Sequence, residues 1–183
     1  MTLTVALLIA AVVFSLLAEA FFSGAETALL SSDKAQLRGE ARRGNRHALL
    51  AERLLERAEL LLSAMLVGQN LSSVAGASLA TLVVVRYVSP EWESLITTAV
   101  MTPLVLVFGE IVPKALARAN ATALALQVAP ALALAQRVLR PVVVVVQRIA
   151  EAVLALLGTP PAARSPYTTR EELIAMAELG EEH

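Results

Sequence analysis

The sequence contains no cysteine, which excludes disulfides, thiolate zinc sites and cysteine-held iron–sulfur clusters. Its two histidines, His47 and His183, both sit in polar stretches, so imidazole-held zinc or haem is not expected. Charged residues make up 17% of the chain, against about 25% in ordinary soluble domains, and residues 1–18 carry no charge at all. What is present instead is apolar: 57% of the 183 residues are hydrophobic, with a mean hydropathy of +0.67. A globular core of this size cannot hide that much apolar surface. The apolar residues also come in blocks long enough to cross a bilayer core of about 30 Å, which takes about 20 helical residues. The composition therefore predicts an all-α integral membrane protein whose main partner is the lipid bilayer. No nucleic-acid partner is expected.

Three spans are predicted, over residues 3–31, 60–85 and 95–117. The first lacks a basic leader, is too long for a signal-peptide core and runs straight into a polar motif, so it reads as a retained helix. Seven basic residues lie between spans one and two (Lys34, Arg38, Arg42, Arg43, Arg46, Arg53, Arg57), seven more follow Pro113, and only Arg86 lies between spans two and three. The positive-inside rule then places the first loop and the C-terminus in the cytoplasm and the N-terminus outside. Residues 34–59 alternate charge at helical spacing, as a solvated helix at the inner surface does. Residues 121–158 carry Arg137, Arg140, Arg148 and Glu151, costly at membrane depth, and read as juxtamembrane helices kinked or separated by Pro130 and Pro141. The composition shifts after Gly158. Residues 159–183 read as a proline-rich linker and the start of a cytoplasmic regulatory domain, with Thr169 and Glu172 spaced as a capping box, and residues 1–158 as the transmembrane domain of a longer protein.

Carboxylates inside a span mark candidate sites, because burying one in hydrocarbon is expensive unless a cation or partner compensates it. Glu19, Glu26 and Glu110 qualify. Ser15, Glu19, Ser23 and Glu26 share one face of the first helix, beside the small residues Gly24 and Ala25. The alternative is a packing stripe whose Ser23 bonds back to its own helix. In the second span Gly68, Gln69, Asn70, Ser72, Ser73 and Gly76 interrupt leucine and valine, and Asn70 and Ser73 face one way. Their hard oxygens suit magnesium or sodium, although small residues at this density also serve helix contact alone. In the third span Pro113 cannot donate to the carbonyl of Gly109, which leaves that oxygen beside Glu110. The alternative for Glu110 is an ion pair with Lys114. Hard ligands without sulfur or imidazole imply a hard cation; they do not choose among magnesium, sodium, calcium and protons.

The motifs Phe22-Ser23-Gly24-Ala25-Glu26-Thr27-Ala28, Val67-Gly68-Gln69-Asn70-Leu71 and Phe108-Gly109-Glu110-Ile111-Val112-Pro113-Lys114, in this order and spacing, resemble the transmembrane domain of the CorC and cyclin M (CNNM) magnesium transporters. The resemblance implies a homodimer in the cell membrane, with three membrane helices per subunit and a belt-like juxtamembrane helix. It also implies dehydrated Mg2+ bound among the helices and exported in exchange with Na+. The family's ion-binding positions would fall on Ser23, Gly24, Asn70, Gly109 and Glu110, with Glu26 and Ser73 as neighbours. The paired nucleotide-binding modules of such proteins lie outside this sequence, so nucleotide regulation is not expected of it. A membrane-embedded magnesium sensor that binds without transporting is the alternative function. An enzyme is not expected, since the spans hold no histidine, cysteine or paired aspartates.

Overall fold

A computed structural model describes residues 2–157. The expectations for residues 159–183, the capping box included, lie outside the described residues. The chain divides into two compact units between Arg140 and Pro141.

Seven α-helices and one π-helical segment account for the described residues. They are α1 (Thr2–Leu30), α2 (Lys34–Arg42), α3 (Arg46–Glu56), α4 (Ala58–Val84), α5 (Pro90–Leu104), the π segment (Val105–Ile111), α6 (Val112–Ala119) and α7 (Ala121–Leu156). Among the described residues three stretches are long and apolar enough to cross a membrane: Leu3–Leu30, Ala58–Val84 and Pro90–Ala119. The last joins α5, the π segment and α6. At about 1.5 Å per residue each reaches roughly 40 Å, beyond a hydrocarbon core of about 30 Å. Their outward faces expose Leu7, Phe14, Leu17, Leu66, Val74 and Leu95, the pattern of helices whose solvent is lipid.

Proline and serine set where the third span begins. Ser89 is extended, Pro90 occupies the first turn, and Glu91 and Glu93 follow it. Proline costs nothing there because its missing N–H would be unbonded anyway, and acids favour the positive end of the helix dipole. Pro103 lies inside α5 without ending it. Beyond it the winding loosens, and the Val112 N–H bonds the Val107 carbonyl five residues back. A π turn placed one residue before Pro113 accommodates the missing donor without opening the backbone to lipid.

Between the first two spans the chain turns through two short capped helices. The Asp33 carboxylate accepts from the N–H groups of Ala35 at 2.8 Å and Gln36 at 3.1 Å, and the Asn45 side chain accepts from those of His47 and Ala48. Gly44, at φ +87, makes the reversal between them, a conformation that side chains disfavour. The inner faces of α2 and α3 are apolar: Leu37, Ala51 and Leu54 join Ala25, Leu29, Leu61, Met65, Ala125, Ala129 and Leu132 in one core. The segment expected as a solvated helix or helical loop is an amphipathic pair of helices, with most of its charged residues exposed and its apolar faces joined to the core.

One continuous helix, Ala121–Leu156, occupies the region that Pro130 and Pro141 were expected to kink or divide, so the prolines do not separate it. Each proline removes a single intrahelical bond. Around Pro130 the neighbouring Ala, Leu and Gln favour the helix.

Candidate cation site

The first span is the centre of the bundle: α1 packs against α4, α6 and the π segment. Glycines stand at each of these approaches. A Cβ at Gly68 of α4 would lie 2.6 Å from the Phe22 ring, and one at Gly76 would lie 3.3 Å from the Ser15 Cβ. On the other side, a Cβ at Gly24 of α1 would meet Pro113 at 3.5 Å, and one at Gly109 would sit 3.0 Å from the Glu19 Cδ. Small residues let the helix backbones close in, the usual device where lipid offers no hydrophobic drive for association.

That close packing buries the polar stripe of α1. Ser15 is 7% exposed, Glu19 3% and Ser23 0%. Ser15 and Thr27 donate to the carbonyls of Ala11 and Ser23, four residues back. Ser23 does not follow them: its hydroxyl has no hydrogen-bond partner among the described residues, and neither has the Glu19 Oε2. The packing-stripe alternative for Ser23, a bond back to its own helix, is therefore not what the structure holds. Ser73 of α4 is within hydrogen-bonding reach of the Glu19 carboxyl, and Glu110 is near enough for the two acids to act on each other electrostatically.

Of the residues singled out from sequence, Ser23, Gly24 and Gly109 are buried at this crossing, and Ser73 and Glu110 are half-buried beside it. Asn70 is not turned into it: its side chain is exposed and its Nδ2 donates to the Leu66 carbonyl at 2.8 Å. Glu26 lies one turn beyond Ser23 and is half-buried. The ion pairs found among the described residues are Arg38–Glu52 and Arg43–Glu40, so Lys114 does not neutralise Glu110. Glu19 lies in the crossing, against Gly109 and beside Ser73 and Glu110, although the family positions did not include it. The sequence signal for it was its step of four from both Ser15 and Ser23.

Among the described residues no group of three or more histidines or acids could hold a metal ion. The polar groups gathered there are instead one or two carboxylates with serine hydroxyls. Such a set suits a hard cation and offers nothing to a soft one.

The chain matches the family described as the cyclin M transmembrane N-terminal domain over residues 9–183. It is 33% identical over 139 residues to the UPF0053 inner membrane protein YfjD of Escherichia coli (strain K12), covering 76% of this chain and 32% of that protein. It is 38% identical over 109 residues to a UPF0053 protein of Haemophilus influenzae, covering 60% of this chain and 26% of the relative. With the UPF0053 protein sll0260 of Synechocystis it shares 35% identity over 173 residues, 87% of this chain and 38% of the relative. The chain thus spans well under half the length of these relatives. With three membrane-spanning stretches and a match over nearly its whole length, this multi-pass membrane protein belongs to the cyclin M transmembrane domain family.

Proposed function

We propose that this domain carries magnesium across the membrane through a dehydrated site where α1, α4 and the π segment cross. The observation that carries the reading is the Ser23 hydroxyl, wholly buried and unpartnered on a helix whose neighbouring hydroxyls bond back to their own backbone. An orphaned buried polar atom costs about 1–3 kcal/mol, and a cation passing through the crossing would compensate it. Glu110 supplies negative charge, and the Gly109 carbonyl, which receives no i+4 donor from Pro113, supplies a neutral oxygen. Asn70 would join by releasing the Leu66 carbonyl, one rotamer change away from a ligand role. Ser73 lines the α4 side of the path, Gly24 lets α6 close against α1, and Glu26 sits toward the mouth.

The transport reading is alternating access. Magnesium enters from the cytoplasmic side, exchanges water for these oxygens and leaves outward as sodium moves inward. In this reading the N-terminus is outside, α2 and α3 lie along the cytoplasmic surface, and the domain works as a homodimer attached to a cytoplasmic regulatory region.

Flux measured in liposomes containing the full-length protein and a trapped magnesium indicator tests this. Asn70→Ala and Glu110→Gln are each expected to lower sodium-driven magnesium flux about tenfold or more, the scale on which metal sites respond to loss of a supporting group. Unchanged flux in both variants refutes the site. Magnesium binding with no flux in the wild type favours the sensor function instead.

A further inference from the structure

Glu19 is 3% exposed, and its Oε2 has no hydrogen-bond partner among the described residues. The main chain of Gly109 approaches so closely that a Cβ there would stand 3.0 Å from the Glu19 Cδ and 3.3 Å from its Oε2. Glu110 is the next residue along, and Ser73 reaches the same carboxyl from α4. One turn further along α1 the Ser23 hydroxyl is likewise buried and unpartnered. Neither acid takes part in the ion pairs found among the described residues. Two neighbouring carboxylates in an apolar bundle repel each other and are poorly solvated, an arrangement that calls for a compensating cation.

We infer that Glu19 is a further ligand of the magnesium site, standing opposite Glu110 beside Gly109 so that two carboxylates neutralise one divalent ion. The inference rests on the magnesium reading above and specifies its charge. Magnesium is commonly held by one or two carboxylates with neutral oxygens completing its shell. Ser23 and Ser73 bring neutral hydroxyl oxygens to this crossing, and the Gly109 carbonyl would add a third. A monovalent ion would leave one carboxylate charge buried and unbalanced, whereas a divalent ion leaves none. Gly109 is part of the device, because a side chain there would press its Cβ to 3.0 Å from the Glu19 Cδ and crowd the carboxyl.

The test is calorimetric titration of the purified full-length protein with magnesium chloride at constant ionic strength, alongside thermal unfolding with and without the ion. In Glu19→Gln the magnesium affinity is expected to fall about 10- to 100-fold, while the magnesium-free unfolding midpoint rises because the repulsion with Glu110 has gone. A residue that only supported packing would lower that midpoint instead. Glu19→Asp keeps the charge but draws it back by one methylene, and its affinity is expected to lie between the two. Wild-type affinity in Glu19→Gln overturns the inference and leaves the magnesium site standing. Should the amide variant not fold, undiminished affinity in Glu19→Asp overturns it equally. A wild-type protein that binds no magnesium overturns the site itself, and the inference with it.

Discussion

The segment joining the first two spans and the crossing at the centre of the bundle treat polar groups in opposite ways. In α2 and α3 the Asp33 and Asn45 caps each accept two backbone N–H groups, and the Asp33 N–H in turn reaches Thr122. Arg38 and Arg43 find carboxylates. Water could satisfy all of these groups, yet the protein does. At the crossing of α1, α4 and the π segment water is excluded, yet Ser23 and Glu19 carry polar atoms that no described residue satisfies. Burial without a partner is costly and burial with one is ordinary. The capped helices satisfy their polar groups internally, and the crossing leaves buried ones unsatisfied, which is what the proposed cation would compensate.

This contrast can be sharpened by substitution. The largest effect is expected at Leu37, 1% exposed and the residue by which α2 joins the core. Leu37→Ala should lose about 2–5 kcal/mol, read as an earlier unfolding midpoint in mixed detergent micelles, with little change in magnesium affinity. Removing a cap comes next. Asp33→Ala deprives two N–H groups of their acceptor and should cost about 1 kcal/mol by the same measurement. The smallest stability effect, with the opposite sign, is expected at Ser23. Ser23→Ala removes the unpartnered hydroxyl but leaves a small void that offsets most of that gain, so the magnesium-free protein should be slightly more stable than wild type, while the stabilisation gained on adding magnesium shrinks. Ser15→Ala, which loses only a bond back to Ala11, should leave that gain intact. If the two serine variants behave alike, the contrast between the regions fails.

Much of this was legible in the residues. Uncharged blocks of bilayer length mark three spans, and the observed stretches overlap the expected ones with shifts of a few residues at their ends. The largest shift is at the third, which starts at Pro90 rather than near 95 because Ser89 and Pro90 form an efficient helix start. The step of four along Ser15, Glu19 and Ser23 marks a polar face on α1. Pro113 marks an irregularity near Gly109, and the π segment lies there. Less was legible where neighbours decide. Pro130 and Pro141 read as kinks or breaks, and a single helix contains them both, each removing only one intrahelical bond.

Spacing alone determined which groups share a face, and composition alone determined that the solvent is lipid, since both follow from helix geometry and transfer energy. Only the tertiary structure decided which polar groups are left without partners. Ser15 and Ser23 are the same residue type eight positions apart on one face, and nothing local distinguishes them. Asn70 is exposed and bonded to the Leu66 carbonyl, while Glu19 is pressed against Gly109. Those outcomes depend on which glycine lies opposite, and the close approach of two backbones is a property of the packed bundle rather than of either helix.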